Sequence, residues 1–598
     1  MKKMILQLVA VLGVGAILVI FFHTRHLPKE HTQKDAFSPN QRRKVPENGL
    51  TLMTDKASYS PDENIKLTGL FRDRQYSGDL KIQSFHLQRK LKEGTVHAKN
   101  GRFFTNIKLP DQDFQGYLIK VNTLSTPSIT STIGVDISSD WSKFPRYGFL
   151  SEFGDKPEEE IQTNLAELNR FHLNGLQFYD YHYKHHQPLK MNGDVPADHW
   201  QNIANRQISL NTIERYINGA HHLNMKAMGY NLLYGTFENA VQDGVNPDWY
   251  LYRDKFRKTN DFYPLPDTWK SNILLTNPNH PGWQQFIINQ QKNVYKHLNF
   301  DGWHIDQLGD RGEVFNEHGE PILLDQAFGP FLQNIKYQTQ SKRIVMNAVN
   351  QYGQTEIAKS PVDFLYTEVW NPNKYFGDLK KIIDENGIAS NQTKNTVLAA
   401  YMDYNHSNSK GEFNEAGILL SDSVIFAAGG SHIELGEHML SQEYFPHDQL
   451  TMSESLRNQL ISYYDFLVAY QNLLRDDLTE INVPIQTSSG VSLSSNAEQG
   501  KIWTFSKQKE NCKILHFLNF TNANSMEWRD TDGTQVRPGK KENIQIIVKD
   551  NSIPRKIWMA SPNQSGGLPK ELSFSHKNGE ISFTLPSIEY WDMVVMEY

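Results

Sequence analysis

Between Trp141 and about residue 475, short β-like runs alternate eight times with helix-length amphipathic runs, and this alternation restricts the fold more than any other feature. The strand candidates begin near Tyr147 (YGFLSEF), Gly175 (GLQFYD), Lys226 (KAMGYN), Gly302 (GWHID), Arg343 (RIVMNA), Phe364 (FLYTEVW), Val397 (VLAAYMD) and Ser431 (SHIELG). The first helix after them has Asp155 as a candidate N-cap, Pro157 in its first turn and Glu158 to Glu160 complementing the dipole. Ile161, Leu165 and Leu168 then recur at helical spacing, and SESLRNQLISYYDFLVAYQNLL closes the series as a long final helix. Eight β-then-α units predict a (β/α)8 TIM barrel over residues 139–478, whose active site would lie at the C-terminal ends of the strands. An open doubly wound sheet is the competitor, but no Gly-rich phosphate loop follows any strand.

The flanks read differently. Residues 49–138 carry alternating runs such as LTLMTDKASYSPDENIKLTG, with a turn at Ser60 to Asn64, and predict an immunoglobulin-like antiparallel β-sandwich. Residues 479–598 return to alternation. LSFSHKNGEISFTL sets Leu572 and Phe574, then Ile581, Phe583 and Leu585, around a two-residue Asn578-Gly579 turn, so a C-terminal antiparallel β-sandwich is expected. A chain of 598 residues suits such a multidomain plan. At the other end, Lys2 and Lys3 precede nineteen residues, Met4 to Phe22, in which Gln7 is the only polar one. That length spans a hydrocarbon core of roughly 30 Å. No small-residue cleavage signal follows, so residues 1–22 predict an uncleaved signal-anchor in a lipid bilayer, and the polar stretch 23–48 a tether. The expected location is the cell surface, with the enzyme outside. A single cysteine, Cys512, excludes an intramolecular disulfide and reads as a strand residue. The net charge of −6, with no basic stripe, argues against a nucleic-acid partner. Oligomeric state is not legible.

The strand ends carry the chemistry. In FDGWHIDQLGDRG, His304 and Asp306 share the parity opposite to Trp303 and Ile305, so the polar set points inward and Asp306 stands at the exit. A buried carboxylate costs several kcal/mol unless paired or functional. The design recurs: Glu368 ends strand six, Tyr179, Asp180 and His182 end strand two, Asn347 ends strand five, Tyr401 and Asp403 end strand seven, and Glu434 ends strand eight. Trp370 follows Glu368, and Gln307 follows Asp306. Such a rim of carboxylates, amides and rings with few cations suits a neutral polyhydroxylated substrate. Glycosidic cleavage needs one ionised and one protonated carboxyl group, and Asp306 with Glu368 is one pair among several that the spacing allows. His182, His185 and His186 lack the spacing of a metal helix, so no metal is expected; Asp310, Asp363 and Glu437 receive no role. No G-x-S-x-G elbow exists for a serine hydrolase.

DISSDWSKFPRYGFLSEF, FHLNGLQFYDYHYKHHQPL, FDGWHIDQLGDRG, YTEVW and GGSHIELGEHMLSQEYFP resemble the signature blocks of glycoside hydrolase family 66, the dextranases and cycloisomaltooligosaccharide glucanotransferases. The resemblance runs over about 50–598 and implies the same order of parts. It implies a retaining, cofactor-free enzyme acting on α-1,6-linked glucan such as dextran, with Asp306 as nucleophile and Glu368 as acid/base. It further implies substrate contacts from Tyr179, Asp180, His182 and Asp403. His304, Gln307 and Asn347 are expected beside the catalytic pair, and Trp370, Tyr401 and Glu434 on the substrate rim. The cyclising members resemble the dextranases but carry a carbohydrate-binding module late in the barrel. Tyr404 to Ala428 holds no room for one, which favours an endo-acting hydrolase releasing isomaltooligosaccharides. A cyclising or linear transglucosylase, and a catalytically inactive surface carbohydrate-binding protein, are the alternatives.

Overall fold

All eight strand candidates are strands in the computed structural model, which describes residues 49–598 apart from Thr126. They are β1 (Tyr147–Leu150), β2 (Gly175–Phe178), β3 (Lys226–Leu232), β4 (Gly302–Asp306), β5 (Arg343–Met346), β6 (Leu365–Glu368), β7 (Thr396–Ala399) and β8 (Ser431–His432). Each is followed by a helix: α1 (Glu158–Arg170), α2 (Leu210–His222), α3 (Pro281–His297), α4 (Leu324–Thr339), α5 (Gln354–Lys359), α6 (Phe376–Ala389), α7 (Glu415–Ala428) and α8 (Glu454–Ala469). The N-cap of α1 is Pro157, which offers no side-chain acceptor, and not Asp155, whose carboxylate instead meets His199 Nε2 at 3.0 Å.

The strands do not form one continuous ladder. Parallel pairing joins β1 to β5 in sequence order into a five-stranded sheet, and β6 to β8 into a three-stranded one. Between β5 and β6 runs a single parallel bridge, Asn347 to Tyr366, beside a 2.9 Å bond from Ala348 N to Tyr366 O. Between β8 and β1, Phe149 N donates to Leu435 O at 3.1 Å. The second break falls at β8, which has only two residues. Side chains from both sheets nevertheless share one interior, where Tyr147, Met228, Val345, Phe364, Tyr366 and Val397 pack together. The opposite parity, including Trp303, Ile305, Ile344 and Met346, packs outward among α3 and α4 residues such as Ile287 and Phe331. Each such large apolar side chain contributes about 1.5–3 kcal/mol on full burial.

On the N-terminal side, a three-stranded sheet (Leu50–Thr54, Ile65–Phe71, Arg102–Ile107) faces a four-stranded one (Gly78–His86, Arg89–Ala98, Gln115–Thr123, Thr130–Ile137). Leu52, Leu67, Phe103, Ile119 and Val121 fill the space between them. The second sheet docks on the α8 region at two glycines. A Cβ on Gly116 would lie 2.1 Å from Val468 O, and one on Gly134 2.6 Å from Asp465 O, so only glycine permits this approach. Gly134 N donates to Asp465 Oδ1 at 2.9 Å, and Arg170 Nη2 and His172 Nε2 reach the same buried carboxylate at 2.8 and 2.7 Å. Burial alone would raise the Asp465 pKa, yet Arg170 and His172 hold it below the ordinary aspartate value.

A seven-stranded sheet, antiparallel but for the short strand Leu493–Ser494, and a four-stranded antiparallel one make up the C-terminal part, around Phe517, Ile546, Val548, Phe583 and Val594. Asn578 and Gly579 both take positive φ, 53° and 75°, and Lys577 pairs with Glu580, as a two-residue hairpin requires. Cys512 is half-buried in the strand Cys512–Asn519. The whole is thus sheet-rich and multidomain in character.

No helix among the described residues is long and apolar enough to cross a membrane. The expected spanning segment Met4 to Phe22 and the tether 23–48 lie outside the described residues. The expectation of a membrane-anchored enzyme with a lipid bilayer as partner and a cell-surface location is therefore corrected: no described helix supports it.

Candidate active site

Asp306 is the last residue of β4 and Glu368 the last of β6. The ladder fixes both: Leu232 of β3 pairs with Asp306, and Glu368 pairs with Ala399 of β7. Asn347, just past β5, stands between them. Its backbone N donates to Ile305 O at 2.9 Å, which seats it beside the end of β4. From there Nδ2 donates to Asp306 Oδ1 at 2.9 Å and to Glu368 Oε2 at 3.0 Å. The two hydrogens of one amide nitrogen diverge by about 120°, so the oxygens they hold lie roughly 5 Å apart.

Each carboxyl group has further donors. Tyr230 Oη donates to Asp306 Oδ2 at 2.7 Å, and Gln307 N to Oδ1 at 2.8 Å. Tyr401 Oη donates to Glu368 Oε1 at 2.9 Å. Burial pushes the Glu368 pKa up to about 7, helped by the Asp306 charge and opposed by the bonds from Asn347 and Tyr401. Burial also raises Asp306, but the bonds from Tyr230, Asn347 and Gln307 all favour its ionised form. Glu368 is thus the member that keeps a proton near neutrality, and Asp306 the one equipped to lose it.

The other sequence candidates divide. Asp180 follows β2 in a left-handed conformation, φ 51°, and burial pushes its carboxyl up to about 7, with Arg206 opposing and the Asp306 charge adding to the rise. Tyr179 stacks on Phe445 at 4.4 Å and lies 4.8 Å from the Tyr230 ring. Trp370 sits 5.7 Å from the Tyr401 ring. These four, with Asn347, gather around the carboxyl pair.

Four others face elsewhere. His304 points deeper, stacked on Tyr147 at 5.7 Å with Tyr147 Oη 3.3 Å from its Nδ1, and burial lowers its pKa to about 3. His182 is wholly buried beside His185, ring centroids 4.4 Å apart, with neither nitrogen bonded. Asp403 Oδ2 accepts from Asn414 N at 2.7 Å, and its neighbours are Gly533 and His406 rather than Asp306 or Glu368. Glu434 is buried against His432, Asp422 and Tyr464, whose hydroxyl donates to Oε1 at 3.1 Å. Gln307 contributes through its backbone, while its side-chain Oε1 accepts from Gly309 N at 2.6 Å. Asp422, His432 and Glu434 form the one group among the described residues whose ligand atoms lie close enough for a metal ion.

Sequence reasoning missed Tyr230 and Arg529. Tyr230 could have been found, because it pairs with His304 in register and so shares the inward parity. Arg529 could not, since it arrives from the C-terminal part. Its guanidinium donates to Val369 O at 2.9 Å and to Tyr401 O at 3.2 Å.

Comparison with known proteins places the chain in a family. A cycloisomaltooligosaccharide glucanotransferase of Niallia circulans is 26% identical over 704 residues, covering 91% of this chain and 71% of the relative. A dextranase of Streptococcus salivarius is 24% identical over 564 residues, covering 81% of this chain and 67% of the relative. The crystal structure of a Paenibacillus sp. cycloisomaltooligosaccharide glucanotransferase complexed with cycloisomaltoheptaose matches with a TM-score of 0.86 at 25% identity, over 91% of this chain and 99% of that one. The model of glycosyl hydrolase family 66 matches residues 54–595, nearly all that the structure describes. The chain belongs to glycosyl hydrolase family 66.

Proposed function

We propose that this protein is a retaining endo-acting glycoside hydrolase that cleaves α-1,6-glucosidic linkages of dextran to isomaltooligosaccharides. The observation that carries the reading is the Asn347 amide, which holds one oxygen of each carboxyl group at 2.9 and 3.0 Å. The resulting separation of roughly 5 Å suits retention, whereas inversion needs room for a water and about 6.5–9.5 Å. Asp306, ionised and flanked by donors, attacks the anomeric carbon as the O6 leaving group takes the Glu368 proton. Glu368 then removes a proton from water, which opens the covalent glucosyl ester and regenerates both groups. Net configuration is retained because two inversions occur.

Tyr179, Asp180, Tyr230, Trp370 and Tyr401 surround this centre and are the proposed sugar contacts. Asp403, Glu434, His182 and His304 act at most through them. The eight strands are read as one closed (β/α)8 barrel over 139–478, between β-sandwich parts at 49–138 and 479–598. The shared interior across both sheets supports closure.

Hydrolysis is favoured by the link from β7 to β8. It holds only a short 3-10 turn, a two-residue strand and α7, leaving no room for an inserted module. The alignment with the Niallia glucanotransferase spans 704 residues, more than the 598 of this chain, so that relative carries sequence with no counterpart here. A second reading, a cyclising transglucosylase, is supported by the same relative and by the Paenibacillus structure.

Incubating the protein with dextran, beside Asp306→Ala and Glu368→Ala, decides between them. Linear isomaltooligosaccharides first released as the α-anomer, with both variants down by several orders of magnitude, establish the hydrolase. Cyclic products establish the transglucosylase. Dextran bound but left intact overturns both.

A further inference from the structure

Arg529 belongs to the C-terminal part of the chain, yet its side chain lies among the ends of β6 and β7. We propose that Arg529 is a positioning residue for Glu368, so that the active site is incomplete without the C-terminal segment around it. The proposal rests on the reading of Glu368 as the acid/base.

The segment is fastened along its length. Phe376 N donates to Met526 O at 3.0 Å, Trp528 N to Lys374 O at 3.1 Å, and Asp403 N to Arg529 O at 3.0 Å. Trp528 Nε1 donates to Asn373 O at 2.8 Å, and Asn414 Nδ2 to Asp530 Oδ2 at 2.7 Å. These bonds deliver the guanidinium to a site bounded by three rings, Trp528, Trp370 and Tyr404, at 4.7, 4.8 and 5.2 Å.

What Arg529 ties together is specific. Val369, whose carbonyl accepts from Nη2, is the residue after Glu368. Tyr401, whose carbonyl accepts from Nη1, is the residue whose hydroxyl holds Glu368 Oε1. The β6–β7 ladder ends at Glu368 and Ala399, with one further bond from Val369 N to Ala399 O. Past that point no sheet bond fixes the spacing of the two chains. A planar fork with two parallel donors can bridge both carbonyls while stacked on rings, and a lysine ammonium cannot do both.

Charge adds a second effect. Among the described residues Arg529 makes no ion pair, so its positive charge is left to the carboxyl groups around it. Tyr401, Tyr404, Glu443 and Glu368 all act electrostatically on it. Glu368 is faced in turn by Asp306 and Glu443, which raise its pKa, and by Asn347 and Tyr401, which lower it. Arg529 favours the carboxylate that Glu368 becomes once it has given up its proton.

The test compares full-length wild type with Arg529→Met and Arg529→Lys on two substrates. Dextran has a poor leaving group that needs the Glu368 proton, whereas an aryl α-isomaltooside has one that does not. Arg529→Met is expected to lose about 100-fold in kcat/KM on dextran, and no more than about fivefold in kcat/KM on the aryl substrate, because kcat/KM reports the first bond cleavage and only dextran needs a proton there. Arg529→Lys should recover part of the dextran loss. The 13C titration of the Glu368 carboxyl, assigned with Glu368→Gln, should move to higher pH in Arg529→Met. Equal losses on both substrates, or an unmoved titration, would overturn the proposal. A wild type that leaves dextran intact refutes the substrate reading alone, and the titration still decides the role of Arg529.

Discussion

Tyr230 donates its hydroxyl to Asp306 Oδ2 at 2.7 Å, so the carboxylate proposed to attack has one oxygen held by a phenol and the other by an amide. Removing the phenol oxygen should be felt in the ionisation of Asp306 first. In Tyr230→Phe the Asp306 pKa rises, because the lost bond favoured the ionised form. The acid limb of the pH–rate profile therefore moves to higher pH, and kcat on dextran falls by about 10²-fold. A pH series of initial rates would show an unmoved acid limb if Asp306 were not the ionised partner.

The alkaline limb belongs to Glu368. Its pKa of about 7 predicts that the rate declines as pH rises through that value and the acid loses its proton. Tyr401→Phe deletes a bond that lowers this pKa, so the limb should move upward while kcat falls by about tenfold or more. A limb that moves downward would remove Tyr401 from the Glu368 hydrogen-bond shell.

Asp465 is expected to matter for stability and not for chemistry. It is buried and gathers Arg170, His172 and Gly134 N, so Asp465→Ala leaves the Arg170 cation without its partner in a dry interior. The expected cost is about 3–5 kcal/mol in denaturant unfolding. Activity per folded molecule should stay within about twofold.

Asp592 lies wholly buried in the last strand, and burial pushes its carboxyl up to about 8. Unfolded, it titrates near 3.9. A raised folded value means that its stabilisation is complete below about pH 4 and drains away as pH climbs toward 8. Asp592→Asn mimics the protonated form at every pH. Thermal melts from pH 5 to 9 should therefore fall less steeply for the variant, by on the order of a few kcal/mol. Parallel curves would mean that Asp592 is already ionised in the folded protein.

Much of this was legible in the chain. The eight strands and the parity that aims Asp306 inward follow from periodicity, since a strand alternates its faces whatever surrounds it. Which strand-end groups meet is a different matter. Asn347 reaches both carboxyl groups because it sits just past β5, bonded to Ile305 of β4 on one side and bridged to Tyr366 of β6 on the other, and such neighbourhood between strands leaves no trace in local pattern. Asp403 and Glu434 obey the same strand-end rule as Glu368, yet one is taken up by Asn414 and the other by Tyr464. Arg529 had no local signal at all, because its role depends on a contact across well over a hundred residues of sequence.

The stitches between Trp528 and Asn373, and between Asp403 and Arg529, have a temporal consequence. Translation completes the strands bearing Asp306 and Glu368 long before Trp528 leaves the ribosome. If β6 and β7 need that late segment to hold their spacing, a nascent chain possesses both carboxyl groups and still cannot cut glucan. The order of synthesis would then act as a safety catch, released only when the segment around Trp528 has folded back onto the ends of β6 and β7.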